Sequence, residues 1–107
     1  MKAVCVDAAP ESLALTVSLC EQLPQLAAVQ GFTDPNRALA WAAAHPVELV
    51  VLETELPELS GIELARRLRQ ACPDMAVLFV TEHPQHALEA FSVHAAGYLL
   101  KPVTGAA

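Results

Sequence analysis

The sequence has 107 residues, a length that fits one small domain. Hydrophobic residues make up 54% of it and charged residues 17%, a balance that excludes a disordered chain. The net charge of −6 argues against a nucleic-acid surface, which needs a basic patch. The sequence has neither an apolar run long enough for a membrane span nor a signal-peptide pattern, so we expect a cytoplasmic protein.

Strand-like and helix-like segments alternate through the first half of the chain. Strands are expected at residues 3–6 and 27–32, and helices from 10 to 23 and from 35 to about 45. The second helix has a clear start signal, because Asp34 can cap it and Pro35 suits its first position.

The alternation continues through the second half. Strands are expected at residues 49–52, 76–80 and 98–100, a third helix from 60 to about 72, and a fourth opened by Pro84 that carries Ala87, Leu88, Phe91 and Ala95. Ser60 and Glu63 have the spacing of a capping box at the start of the third helix. The basic cluster of Arg66, Arg67 and Arg69 is typical of the solvated face of that helix.

The three cysteines, Cys5, Cys20 and Cys72, are odd in number and have no C-x-x-C spacing. This pattern favours reduced, buried thiols over a disulfide framework or a zinc site. His83 and His86 are three residues apart, but the spacing of the chain offers no third ligand for a metal. A pH-sensitive interaction surface is the other interpretation of these histidines.

The order β-α-β-α-β-α-β-α-β predicts an α/β fold with a parallel sheet and helices on both faces. Ligands bind such sheets at the carboxyl ends of the strands, where Asp7, Glu53, Thr81 and Lys101 are expected. Two carboxylates, a hydroxyl and an ammonium at one edge suit a hard cation and a phosphoryl group. Each residue alone could instead be a helix cap or a solvated strand end.

Several segments around these residues resemble the receiver domain of two-component response regulators. They are residues 4–10, 49–57, 60–64, 80–81 and 96–102, and the resemblance covers essentially the whole chain. It implies a single domain over residues 1–107 with a flavodoxin-like, doubly wound five-stranded sheet in the order 2-1-3-4-5. The stretches 87–91 and 97–103 look most like the subgroup that precedes LytTR-type DNA-binding domains.

The resemblance also implies a mechanism. A histidine kinase or small phosphodonor passes a phosphoryl group to an Asp after strand three, and Mg²⁺ assists. The roles fall on Glu53 (acceptor position and metal ligand), Asp7 (metal-binding acid), Glu55 (backbone carbonyl on the metal), Thr81 (switch hydroxyl), Tyr98 (switch aromatic) and Lys101 (phosphoryl-binding cation). The peptide bond before Pro102 would be cis.

Two departures from the family pattern lie at this site. The acceptor position holds Glu53 rather than Asp, and Ala8 stands where the family has an acid that binds the metal. A methyl group cannot ligate Mg²⁺, and in-line transfer tolerates little misplacement of the acceptor. We therefore predict that normal phosphorylation is lost, that no cofactor is bound, and that Glu53 reaches Lys101 directly. A mimic of the active state, an inert structural site and residual metal or phosphoryl chemistry all stay open.

The end of the chain also departs from the pattern of the receiver family. Only five residues follow Pro102, too few for the fifth helix of a receiver, so that helix is expected to be missing. Apolar side chains of strands four and five, such as Val77, Phe79 and Leu99, would then be partly exposed. Such a patch predicts a homo-oligomer, or a fragment of a longer protein.

The leading interpretation is a non-enzymatic signalling module. It would bind protein partners, such as a histidine kinase or an output domain absent from this chain, and regulate transcription without touching nucleic acid or membrane. A still-active, Mg²⁺-dependent phospho-acceptor is the alternative. A flavodoxin-like enzyme or nucleotide binder is a third class, disfavoured because residues 7–10 are not a glycine-rich phosphate loop.

Overall fold

The computed structural model describes residues 1–102, which form one parallel sheet flanked by helices. The elements are β1 (Lys2–Val6), α1 (Pro10–Glu21), β2 (Ala28–Phe32), α2 (Pro35–Ala44), β3 (Leu49–Leu52), α3 (Gly61–Ala71), β4 (Ala76–Thr81), α4 (Ala87–Ala90) and β5 (Gly97–Leu100). All neighbouring strands are parallel, and their order is β2-β1-β3-β4-β5. The predicted fold class and strand order are confirmed.

The strand register brings the predicted site residues to one edge of the sheet. Val6 pairs with Leu52, and Leu52 pairs with Phe79. The residues that follow β1 and β3, Asp7 and Glu53, therefore emerge side by side. The chain leaves β1 toward β2 on one side and returns to β3 on the other, so a crevice opens between these strand ends.

Two apolar clusters cover the two faces of the sheet. The larger lies under α2 and α3 and includes Val4, Val6, Val50, Leu52, Leu64, Leu68, Val77 and Phe79. The smaller lies under α1 and includes Ala3, Cys5, Cys20, Leu26, Val51 and Val80. Alternate residues of β1, β3 and β4 thus enter opposite clusters, as expected for strands buried on both faces.

This alternation corrects the expected exposure of β4. Val77 and Phe79 are completely buried, because their side chains face α3 together with Leu52. The residues of β4 on the α1 side are Leu78 and Val80, and Val80 is buried too. The expected missing helix concerns residues 103–107, which lie outside the described residues.

The starts of α2 and α3 follow the predicted signals. The Asp34 carboxylate accepts the Asn36 N–H at 2.9 Å, and the Ser60 hydroxyl accepts the Glu63 N–H at 3.1 Å. Each cap satisfies a backbone donor that the first turn of a helix leaves unpaired.

The arginines of α3 do not all lie on a solvated face. Arg66 and Arg67 are exposed and pair with Glu63. Arg69 is half-buried, and its guanidinium donates to the carbonyls of Met75 and Val93 at 2.8 and 2.7 Å. The expectation was wrong for Arg69, which ties the end of α3 to the segment before β5.

The fourth helix is shorter and more broken than expected. A 3-10 turn at Pro84–His86 leads into α4, and a second 3-10 turn follows at Phe91–Val93. His94 has a left-handed backbone, with φ 52°, that ends the helical path before Ala95. Ala90 and Val93 face the core, whereas Leu88 and Phe91 are 81% and 74% exposed.

Within residues 1–102, no helix combines the length and apolar character that crossing a bilayer requires.

Candidate functional site at the carboxyl ends of the strands

Lys101 lies at the centre of the predicted site. Its backbone N–H donates to the Thr81 carbonyl at 2.8 Å, which fixes the residue directly after β5. Its ammonium donates to Asp7 Oδ2 and to Glu53 Oε1, both at 2.8 Å. Lys101 is 21% exposed along its side chain, and the two carboxylates are buried. The direct contact expected between Glu53 and Lys101 is present, and the peptide bond from Lys101 to Pro102 is cis, as expected.

The remaining oxygens of the two carboxylates also have partners. Asp7 Oδ1 accepts the Ala9 N–H at 3.0 Å in a local turn before α1, whose first turn has no side-chain cap. Glu53 Oε2 accepts the Thr54 N–H at 2.7 Å and the Thr54 hydroxyl at 3.2 Å. All four carboxylate oxygens are therefore hydrogen-bonded within the protein.

Thr54 is a site residue that the sequence reasoning missed. Besides contacting Glu53, its hydroxyl lies 3.0 Å from the hydroxyl of Thr81, and both side chains are buried. Thr81 in turn accepts the N–H of His83 at 3.1 Å. The sequence did offer a signal for Thr54, because it directly follows Glu53. A hydroxyl next to the acceptor position can contact the acceptor carboxylate.

Tyr98 connects with the same region from β5. Its ring packs against Phe79, with centroids 6.0 Å apart, and its hydroxyl donates to the carbonyl of His83. Burial raises the pKa of the Tyr98 phenol, so it remains a donor at neutral pH. The backbone of His83 thus links the two side chains: its N–H donates to Thr81, and its carbonyl accepts from Tyr98.

The surroundings of Glu53 and Lys101 stabilise the charged forms of both side chains. Burial opposes ionisation of Glu53, but hydrogen bonds from Lys101 and the neighbouring threonines outweigh it and lower the pKa of this carboxyl. Burial likewise opposes the charge on Lys101, yet the Asp7 and Glu53 carboxylates raise the pKa of its ammonium. Both groups are therefore charged across the physiological range.

Gly61 positions Glu53 from the start of α3. Its N–H donates to the Thr54 carbonyl at 2.8 Å. A Cβ atom at this position would lie 2.0 Å from the backbone oxygen of Glu53, closer than any side chain allows. The absence of a side chain at Gly61 lets the loop after β3 fold back against the strand end.

Glu55 was expected to offer only its backbone carbonyl. Its exposed carboxylate instead lies 3.0 Å from His86 Nε2 and 3.5 Å from His83 Nδ1. His86 also contacts Glu89 of α4 at 3.2 Å through Nδ1. The two histidines thus join the β3–α3 loop to the segment at α4.

The donor set does not fit a divalent cation. The Lys101 ammonium contacts one oxygen of Asp7 and one of Glu53, and backbone donors contact the other oxygens. Ala8 contributes no ligand. A hard cation needs several free oxygen ligands, which these residues do not offer together. Across residues 1–102, no group of three or more His, Cys, Asp or Glu side chains is arranged around a metal position.

Relatives of this chain are regulatory proteins. It is 37% identical over 86 residues to an uncharacterised response regulatory protein of Vibrio cholerae, covering 80% of this chain and 33% of that protein. It is 39% identical over 71 residues to the positive alginate biosynthesis regulatory protein of Pseudomonas aeruginosa, covering 66% of this chain and 29% of that protein. The chain thus spans about a third of the length of these relatives.

Structural and family comparisons agree with the fold. The response regulatory domain of protein mrkE from Klebsiella pneumoniae superposes with a TM-score of 0.89 at 27% identity, covering 99% of this chain and 87% of that one. The family model of the response regulator receiver domain matches residues 3–107. The chain therefore belongs to the response regulator receiver domain family.

Proposed function

We propose that this chain is a degenerate receiver that regulates its partners without phosphorylation at the acceptor position. The observation that carries the proposal is the ion pair of Lys101 with Glu53, at 2.8 Å. In the mechanism that the family resemblance implies, this lysine holds a phosphoryl oxygen. Here a carboxylate of the protein itself takes that contact, so a charged acceptor is already in place.

The same contacts disfavour transfer of a phosphoryl group to Glu53. A nucleophilic carboxylate needs a free oxygen aligned with the donor, but Lys101 holds Oε1 and Thr54 holds Oε2. Transfer also needs a cation to neutralise the developing charge, and Ala8 removes one of its ligands. Asp7, paired with Lys101, serves as a structural counter-ion in this proposal.

The hydrogen bonds beyond Glu53 support a mimic of the active state over an inert site. They run from Glu53 through Thr54 to Thr81, and onward through His83 to Tyr98. Thr81 and Tyr98 are the two residues assigned to the switch. The proposal is that the Glu53 carboxylate holds this pair in one arrangement, as an aspartyl phosphate would.

A constitutive receiver acts through the proteins that it binds. We propose a cytoplasmic regulator of transcription whose output domain lies outside this chain, with a place in the LytTR-associated subgroup supported by residues 87–91 and 97–103. Leu88 and Phe91 are large, apolar and mostly exposed, which supports the α4 side as the face for a protein partner or a second copy.

The test is an amide NMR titration with Mg²⁺ followed by beryllofluoride, which imitates a bound phosphoryl group. The expected result for this chain is no saturable shift at millimolar ligand. The matched control is the double variant Ala8→Asp/Glu53→Asp, which restores both family carboxylates and is expected to regain Mg²⁺-dependent shifts around Thr81 and Lys101. That control shows that the reagents and the fold are competent.

A saturable shift of the unmodified chain at Asp7, Glu53, Thr81 and Lys101 would contradict the proposal. It would favour the alternative, a Mg²⁺-dependent phospho-acceptor that uses glutamate.

A further inference from the structure

Two of the three cysteines contact each other within the smaller apolar cluster. Cys5 lies in β1 and Cys20 in the last turn of α1, and their sulfur atoms are 3.8 Å apart. The two cysteines are fifteen positions apart in sequence and come from different elements. We propose that Cys5 and Cys20 are the site of a reversible intramolecular disulfide, formed when the protein meets a hydroperoxide.

The surroundings of the two thiols give them different roles. Cys20 is 8% exposed and lies one residue before the end of α1, so it is the more accessible of the two thiols. Cys5 is completely buried. Cys20 is thus the thiol that reacts first, and Cys5 is the thiol that resolves the product.

The contact also prepares Cys20 for reaction. The hydrogen bond from the Cys5 thiol, acting against burial, lowers the pKa of Cys20 to about 7. The thiolate is the form that attacks a peroxide, so a lowered pKa favours reaction at Cys20.

The chemistry balances with hydrogen peroxide as the two-electron oxidant. The Cys20 thiolate attacks one peroxide oxygen, the O–O bond breaks, and water leaves after protonation, so that Cys20 becomes a sulfenic acid. The sulfur of Cys5 then displaces the hydroxyl group, the S–O bond breaks, the S–S bond forms, and a second water leaves. Two thiols and one peroxide give one disulfide and two waters.

Cys72 cannot compete for either partner. It packs against the larger cluster on the other face of the sheet, and its thiol points to the carbonyl of Ala42. The sheet therefore separates it from Cys5 and Cys20, which belong to the smaller cluster.

The test compares two variants that each keep two cysteines. Cys72→Ser retains the proposed pair, and Cys20→Ala retains one thiol on each face of the sheet. Each protein is treated with stoichiometric hydrogen peroxide, unfolded, alkylated with N-ethylmaleimide and weighed intact. Cys72→Ser is expected to lose about 2 Da and take up no alkyl group, whereas Cys20→Ala keeps two reactive thiols.

A thermal melt gives a second readout. Oxidised Cys72→Ser is expected to melt about 5–10 °C higher than its reduced form, because the bond closes a loop in the unfolded chain, and dithiothreitol should reverse the shift. A Cys20→Val variant replaces Cys20→Ala if the alanine protein does not fold. Thiols of Cys72→Ser that stay open to alkylation, a disulfide between two molecules, or a mass gain from sulfinic acid would each overturn the proposal.

Discussion

A single ammonium group compensates two buried carboxylates at the strand ends. Asp7 and Glu53 both contact Lys101 at 2.8 Å. Removing one partner from a buried ionic network leaves a buried charge uncompensated. The free-energy cost of that charge exceeds the net stabilisation that the intact network provides. The two carboxylates would in addition repel each other, because the lysine that separates them would be gone.

Lys101→Met is therefore expected to lower the free energy of unfolding by about 2–4 kcal/mol at pH 7. Lys101 lowers the pKa of the Glu53 carboxyl, so this pKa should rise without the lysine. The loss should therefore shrink as the pH falls and Glu53 takes up a proton. Urea unfolding at several pH values measures this. Lys2→Met is the control, because Lys2 is the other lysine of the chain and is exposed. Equal stability of the two variants at pH 7 would contradict the assigned role.

His86 gives the molecule a response to pH near neutrality. Its ring contacts Glu55 through Nε2 and Glu89 through Nδ1, and the His83 ring lies nearby with centroids 6.3 Å apart. The hydrogen bonds to Glu55 and then Glu89 raise the pKa of His86 above 6.5. A raised pKa in the folded state means that the stabilisation is fully present below about pH 6.5 and is lost as the pH rises through the folded value.

Histidine proton NMR should accordingly place the pKa of His86 above its ordinary value. Glu55→Gln is expected to lower this pKa, because it removes the negative charge beside Nε2 of the His86 ring. Glu58→Gln is the matched control, since Glu58 lies in the same loop but contacts Asn36. An identical His86 titration in all three proteins would rule out the contact between the loop and α4.

At the scale of the elements, the loop between β3 and α3 decides the geometry of the site. It carries Glu53 and Thr54 at one end and Gly61 at the other, and Glu58 within it has a φ of 67°. The N–H of Gly61 returns to the Thr54 carbonyl. The hydrogen bond from Gly61 to Thr54 therefore closes the loop and ties the start of α3 to the end of β3.

Gly61→Ala is expected to cost roughly 2–4 kcal/mol of folding stability, because the new methyl group meets the backbone oxygen of Glu53, which cannot move aside. Gly97→Ala is the matched control. There the methyl group would meet the end of the Leu78 side chain, which can change rotamer. Thermal or urea unfolding of both variants measures the difference, and an equal effect would mean that the loop is not held by this contact.

Local signals in the sequence were sufficient for most elements but not for the segment at α4. The caps at Asp34 and Ser60 act through neighbouring residues, so reading the chain locally placed both helix starts correctly. The 3-10 turn that follows α4 is held by Arg69 of α3, whose guanidinium donates to the Val93 carbonyl. A contact between distant residues leaves no local pattern. The expected helix was correct for Ala87 and Leu88, but not for Phe91 and Ala95, which lie beyond its end.

At the scale of the whole molecule, the sheet explains which site residues were predictable. The parallel order brings the ends of β1, β3, β4 and β5 to one edge, so Asp7, Glu53, Thr81 and Lys101 follow from topology. The roles of Thr54 and of the His83 backbone depend instead on how loops fold over that edge. The alternation of side chains along β4 also matters. Val77 and Phe79 were expected to be partly exposed, but they face the larger cluster and are buried.

The central claim is that the charge of Glu53 holds the molecule in one state, through bonds that extend across the sheet to β5. Glu53→Gln tests it, because the amide keeps the size of the side chain and removes its charge. Glu48→Gln, just before the same strand, is the matched control. The measurement is a comparison of amide NMR spectra at pH 7.

The account predicts that Glu53→Gln shifts the amides of Thr54, Thr81 and His83 and reaches Tyr98, while Glu48→Gln leaves all four unchanged. Shifts confined to residue 53 and its direct neighbours, with Tyr98 unmoved, would show that the site is a structural ion pair without a switch behind it.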